Sequence, residues 1–306
     1  MSGSERRKGA VFEKISVDAS VAKSRCTKRD AIMQRVCEHL EHYTKNFSNE
    51  WVGIFLQGSQ NYGLDYEGSD VDTKIIVLPK FEDIVLNRSP ISTTSILPNN
   101  EHLDVKDIRL MFNCFRKQNI NFLEILFTDY FILNPIYEDQ FRTVLDFREE
   151  IARYDYQAAA NCMQGTILSK RKLLTKDTPA AHDVIVKYGY DGKQLHHMER
   201  VLEFFHKFRD GLPYEDCLAS SQREYLISLK KHEMSTEKAV QRADEIVQEI
   251  ERDVLAFLKE CTVRKNDYLD DVLEDVLKSI LKKCILREIS EEEKSDSPYV
   301  WGHVCK

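Results

Sequence analysis

"FLQGSQNYGLDYEGSDVDTKIIVL", residues Phe55 to Leu78, joins two short apolar runs through a Gly-Ser and an Asp-x-Asp. "VGIFLQ" ends at Gly58, and "VDTKIIVL" is rich in β-branched residues and stops at Pro79, so each reads as a strand. Gly58 and Ser59 close the first strand, and "SQNYGL" starts a helix whose free backbone N–H groups favour an anion such as phosphate. Gly58 lets that anion approach the main chain closely. On the second strand Asp70 and Asp72 project from one face, with Val71 and Thr73 on the other. Two acids so placed repel each other unless a cation lies between them. Asp104, in the alternating stretch "HLDVKDI", faces away from Leu103 and Val105. If its strand pairs beside the acidic one, three carboxylates converge opposite a phosphate cradle. Such a ligand set suits Mg²⁺ that also carries substrate phosphates, and two such ions can activate a hydroxyl and stabilise a leaving oxygen.

The rest of the chain sets the context. Its 306 residues, 42% hydrophobic and 31% charged, suffice for two modest globular domains. A net charge of −7 gives no global electrostatic case for nucleic acid or membrane binding. Eight cysteines, Cys26, Cys37, Cys114, Cys162, Cys217, Cys261, Cys284 and Cys305, stand singly without a C-x-x-C pair, which reads as reduced thiols in a cytoplasmic protein. The start, "MSGSERRKGA", lacks an apolar segment after its charges, and no stretch approaches the roughly 20 apolar residues of a membrane span.

Along the chain, Ile32, Val36, Leu40 and Tyr43 fall at helical spacing between Lys28 and Asn46. Residues Asn87 to Asn100 read as an exposed loop from their Ser, Thr, Pro and Asn content. From Leu110 to Ile125 the pattern is helical, broken at Asn121, and Asp107 is placed to cap that helix. After residue 150 glycine and proline become scarce. "QAAANCMQGTILSKRKLL", "KQLHHMERVLEFFHKF", "STEKAVQRADEIVQEIERDVLAFL" and "YLDDVLEDVLKSILKKCIL" each carry helical spacing, with Ser235 as an N-cap. The end, from "EEEKSDSPY" on, reads as frayed. The predicted class is α+β, a small mixed sheet followed by an all-helical half.

"GSQNYGLDYEGSDVDTK" resembles the signature of the nucleotidyltransferase superfamily of DNA polymerase β type, and "GSQNYGL…SDVD" resembles its RNA repair pathway DNA polymerase beta branch of predicted nucleotidyltransferases. "LDVKDIRLMFNCFRKQNINFLEILF" is similar to that branch's third-acid segment and following helix. "YGYDGKQLHHMERVL" is similar to its Lys-x-x-x-His-x-x-Arg helix, and "YLISLKKHEMSTEKAVQRADEI" to its late helical segment. The resemblance implies a catalytic domain over residues 1–150 and a helical nucleotide-binding domain over 151–306. It also implies transfer of an NMP from an NTP to an acceptor hydroxyl with release of pyrophosphate. Asp70, Asp72 and Asp104 would be catalytic and hold two Mg²⁺ or Mn²⁺ ions. Gly58 and Ser59 would hold the β- and γ-phosphates, with Lys193, His197 and Arg200 completing the nucleotide site. The family name implies an RNA end as acceptor, tRNA included.

Bland alternatives stand beside these. The acid pair alone would be a solvated strand edge, and Lys193, His197 and Arg200 alone a polar helix face. Asp65 and Glu67 read as solvated turn residues, and His182, His196 and His206 as structural or surface groups. Lys170, Arg171, Lys172 and Lys176 form a basic cluster that is either a solvated helix face or a contact for acceptor phosphates. Tyr62, Tyr66, Tyr188 and Tyr190 lie near the motifs and could stack on a base. Transfer to a small molecule, a nucleotide or a protein, or nucleotide binding without catalysis, are the rival functions.

Overall fold

The computed structural model describes residues 27–66, 69–261 and 266–295; Cys26, Glu67 and Cys305 lie outside them. Helix α1 (Lys28–Asn46) starts on a capping box between Thr27 and Asp30. It leads into β1 (Trp51–Gln57), then β2 (Asp72–Val77), α2 (Phe81–Val85), β3 (Ser92–Ile96) and β4 (His102–Asp107). Helices α3 (Ile108–Arg116) and α4 (Ile120–Leu123), strand β5 (Phe131–Leu133), α5 (Glu138–Asp146) and α6 (Arg148–Ala152) come next. The remainder is helical: α7 (Tyr156–Leu173), α8 (His182–Tyr188), α9 (Gly192–Arg209), α10 (Tyr214–Leu218), α11 (Arg223–Lys230), α12 (Thr236–Glu260) and α13 (Asp267–Ser295). The chain is thus α+β, and no helix among the described residues is long and apolar enough to cross a membrane.

The five strands form one mixed sheet in the order β3-β4-β2-β1-β5, in which only β2 and β4 run parallel. Alternation sorts its two faces. Ile54, Leu56, Ile75, Val77, Leu103 and Val105 pack under α1 on Ile32, Val36 and Tyr43. Val52, Phe55 and Ile76 face the larger core that runs on through the helical segments. That core passes residue 150 without a break, and α13 returns to the sheet half. There Arg116 pairs with Asp270 at 2.9 Å, Arg287 with Glu50 at 3.3 Å, and the Phe81 N–H donates to Glu288 at 2.8 Å.

Several local expectations are corrected. The segment read as a loop from Asn87 to Asn100 contains β3, an exposed polar edge strand held by its ladder to β4. The helical stretch breaks at 117–119 and not at Asn121: Gln118 takes φ +53° and the Asn119 side chain caps α4. "SQNYGL" forms one 3-10 turn, Ser59–Tyr62, in place of a longer helix. The segment from Glu291, read as frayed, is helical to Ser295, and residues 296–306 lie outside the described ones. Asp107 and Ser235 are the caps their sequence predicts, accepting from the N–H groups of Arg109 and Lys238. Cys37, Cys114, Cys162, Cys217 and Cys284 are free thiols, the last two buried.

A buried network under α1 fixes the acidic segment from behind. Glu101 accepts from Arg35 Nε at 3.1 Å, from His39 Nε2 at 2.9 Å and from the Val71 N–H at 3.3 Å, while His39 Nδ1 lies 2.7 Å from Thr73 Oγ1. Burial would raise the Glu101 carboxyl, but Arg35, His39 and Asn99 reverse the sign and hold it at about 2. Its contribution to stability is therefore complete above the ordinary carboxyl range and is lost as pH falls towards 2. Glu101→Ala leaves buried His39 without its acid and Arg35 with Glu38 alone, and we expect a loss of about 3 kcal/mol in urea unfolding at pH 7.

Candidate functional site

The acidic face of the sheet looks into a cleft of about 500 Å³ between the sheet and the helical half, lined by both the Gly-Ser turn and α9. On the sheet side, Gly58 takes φ +84°, a conformation L side chains rarely adopt, and so turns the chain sharply out of β1. The 3-10 turn after it leaves its first N–H groups unbonded within the turn. Asn61 Nδ2 donates to Leu56 O at 2.9 Å, and Arg223 donates to the carbonyls of Gly63 and Asp65 at 2.8 and 2.7 Å. The helical half therefore grips the loop that carries Ser59. Asp65 also pairs with Lys28 at 2.7 Å, so it is tied down and not simply solvated.

Asp72 opens β2 and Asp70 precedes that strand, yet both line the cleft while Val71 between them is buried. Asp70 has no hydrogen bond among the described residues. Asp72 Oδ1 accepts from the His102 N–H at 2.9 Å, with His102 Nδ1 at 3.2 Å. Asp104 sits elsewhere. The parallel register sets it beside Lys74, not Asp72, and it is not among the residues lining the cleft. Thr94 Oγ1 donates to Asp104 Oδ1 at 2.5 Å and Gln57 Nε2 to Oδ2 at 3.2 Å, while Lys74 Nζ lies 3.9 Å away. Burial would raise the Asp104 carboxyl; Thr94, Lys74, Lys106 and Gln57 together hold it below its ordinary value. Burial pulls the Lys74 ammonium down to about 8, with Asp104 resisting. The three acids do not bring one oxygen each within 4.8 Å of one another.

Across the cleft, α9 starts close against the end of α11: a Cβ on Gly192 would lie 2.1 Å from Leu229 O. That contact brings Lys230 and His232 to the same wall as Lys193, His196, His197 and Arg200. No acid is paired with Lys193, Lys230 or Arg200 within ion-pair distance among the described residues. Arg200 is 6% exposed, its guanidinium lies 4.1 Å from the Tyr62 ring centroid, and its Nε and Nη1 are buried without a partner. Burial, reinforced by Lys193 and Arg200, pulls Lys230 down to about 8. Burial holds His197 well below its ordinary value, helped by Arg200 and Lys170, so it is neutral. His196 is buried, not a surface group. Its Nδ1 donates to Leu226 O at 2.8 Å, and burial with the nearby lysines lowers it to about 3.

Other predicted residues spread out. Lys170 is half-buried near Lys193 and Arg200, Arg171 pairs with Asp244 at 2.6 Å, and Lys176 is exposed. Tyr62 and Tyr66 line the cleft. Tyr190 is core, with its hydroxyl on Met234 O, and Tyr188 stacks on His232 at 4.0 Å. His182 lies beside Asp177. His206 meets Glu249 and Asp253 in a group with metal-ligand spacing, but Arg252 and Arg209 already neutralise Asp253, and Arg242 neutralises Glu249.

Glu124 was not singled out by the sequence, although an acid inside the apolar run "NFLEILF" must find a partner or stay protonated. It is 4% exposed, lines the cleft, and leaves Oε2 without a partner. Burial raises its carboxyl to about 7, against the pull of Arg200 and the Gly58 N–H. The folded chain thus keeps a proton that the unfolded chain loses, and this group lowers stability progressively between about pH 4.5 and 7. Glu124→Gln is expected to gain on the wild type across that window, by ~3 kcal/mol at most, in urea unfolding compared at pH 5 and pH 8.

Asp70 and Asp72, open to the cleft and opposite unpaired cations, have the chemistry to hold a hard divalent ion that also meets a polyanion. Compared with models of known families and with curated proteins, the chain matches none.

Proposed function

We propose that the protein is a metal-dependent nucleotidyltransferase of DNA polymerase β type, which moves an NMP from an NTP to an acceptor hydroxyl and releases pyrophosphate. One observation carries this: a single cleft sets Asp70 and Asp72 against Lys193, Lys230 and the buried, unpartnered Nε and Nη1 of Arg200. A buried guanidinium without an acceptor is costly, and an anionic ligand removes that cost. Arg200, Lys193 and Lys230 bind the β- and γ-phosphates with the Ser59 hydroxyl and the turn's N–H groups. Asp70 and Asp72 hold Mg²⁺ or Mn²⁺, which when bound neutralises charge developing at the α-phosphate. Neutral His196 and His197 add no charge of their own; they fill the wall behind the phosphates. Positioning and fixed charge supply most of the rate.

The acceptor is an RNA end, tRNA included, with Lys170, half-buried near Lys193 and Arg200, the member of the basic cluster nearest the nucleotide; the protein acts in the cytoplasm. Thermal unfolding with Mg²⁺ and ATP, ADP or AMP tests the nucleotide site. Binding to the native state alone raises Tm with RT ln(1 + [L]/Kd). ATP is expected to stabilise most and AMP least, and equal shifts for all three would remove the phosphate-binding role of α9.

A further inference from the structure

Asp72 and Lys74 are two residues apart on β2 and share a face. The parallel register then sets Asp104 of β4 directly beside Lys74. Lys74 is 3% exposed and is fixed at three points: its ammonium donates to Gln57 Oε1 at 2.7 Å and to Asn121 O at 3.0 Å, and lies 4.6 Å from the Phe122 ring centroid. Asp104 lies 3.9 Å from that ammonium and 3.9 Å from Lys106 Nζ, and accepts from Thr94 and Gln57. Its two oxygens are thus satisfied by protein donors, and the buried Lys74 ammonium already stands 3.9 Å from one of them. Asp70 has no hydrogen bond among the described residues, and Asp72 uses one oxygen only. Two of the three acids fit a metal ion; the third does not.

We propose that the acidic site takes one divalent cation, on Asp70 and Asp72, and that the Lys74 ammonium is the second positive charge, locked beside Asp104 where a two-ion site would place another metal. This rests on the nucleotidyl-transfer reading and changes its cation count. Like charges at such range repel strongly in a low-dielectric site, so Lys74 and a second ion exclude each other. Gln57 and Asn121 are positioning residues: they hold the ammonium beside Asp104.

The test is the number of Mn²⁺ ions bound per chain, counted by electron paramagnetic resonance on the intact protein, alone and with one equivalent of a non-hydrolysable ATP analogue. The expected result is one Mn²⁺ with the spectrum of an isolated ion. Asp72→Asn removes it, and Asp104→Asn retains it with an affinity changed less than threefold. Lys74→Met, which frees Asp104, admits a second ion. Two spin-coupled Mn²⁺ ions in the wild type, or a tenfold loss of affinity in Asp104→Asn, would overturn the single-ion site and leave nucleotidyl transfer standing. No bound Mn²⁺ at all would overturn both. Because Asp104→Asn keeps the size of the side chain and an acceptor for Thr94 or Gln57, it decides the matter even where Lys74→Met fails to fold.

Discussion

Asp70→Asn lowers nucleotidyl transfer about 10³-fold, the effect of losing ~4 kcal/mol of charge stabilisation at the metal, and leaves the fold intact. The two parts of that expectation come from the same geometry. Asp70 is exposed and makes no hydrogen bond among the described residues, so no hydrogen bond of the fold is lost with its charge. Its neighbour Asp72 faces the same cleft, and removing one of two like charges relieves repulsion. Urea unfolding should show unchanged or slightly higher stability beside the lost activity. Asp72→Asn should lose as much rate, with a small stability change because His102 N–H keeps an acceptor there. A fall in activity that tracks a fall in stability would mean that the acids are structural.

Arg200→Met raises KM for the NTP roughly 10- to 100-fold, since hydrogen bonds to charged groups contribute ~1.5–3 kcal/mol each. Methionine keeps most of the buried volume, and replacing a buried charge by an apolar chain of similar size is often neutral or stabilising. Glu124 then loses the cation that opposes its burial and its carboxyl rises further above about 7. If Arg200 contacts the outer phosphates as proposed, AMP affinity should stay as it was while ATP and ADP lose theirs. Steady-state KM values for ATP and displacement by AMP separate these outcomes. An equal loss for all three nucleotides would mean that Arg200 shapes the wall and touches no phosphate.

Much of the sheet was legible because buried strands announce themselves. "VGIFLQ", "VDTKIIVL" and "HLDVKDI" became β1, β2 and β4, since apolar runs and alternation mark a strand with at least one face in a core. Ser92–Ile96 has no such pattern: its side chains are mostly exposed, and β3 exists through backbone pairing to β4. Phe131–Leu133 is too short to carry a period. The return of α13 to α3 and α5 was hidden for a different reason, as a helix face shows its stripe but not its partner.

The site divides in the same way. Gly58, Ser59, Asp70 and Asp72, read from their motif, and Lys193, His197 and Arg200, implied by the family resemblance, all line one cleft. Lys74 and Glu124 carried a signal that was passed over: each is a charge inside an apolar run, and burial there demands a partner. Lys230 and His232 carried none, because they reach the cleft only through the close contact of α11 with Gly192. Asp104 shows the limit of strand logic. Shared face was readable from alternation, but the register that puts it beside Lys74 was not.

The most direct measurement of the central claim is incubation of the purified protein with each α-labelled NTP, Mg²⁺ and total cellular RNA, beside Asp70→Asn protein. Label on RNA that is removed by ribonuclease, with one pyrophosphate released per label and none of either in Asp70→Asn, is the predicted result. Bound NTP with no label on any acceptor and no pyrophosphate would contradict nucleotidyl transfer, and label on protein or a small molecule would contradict the RNA end as acceptor.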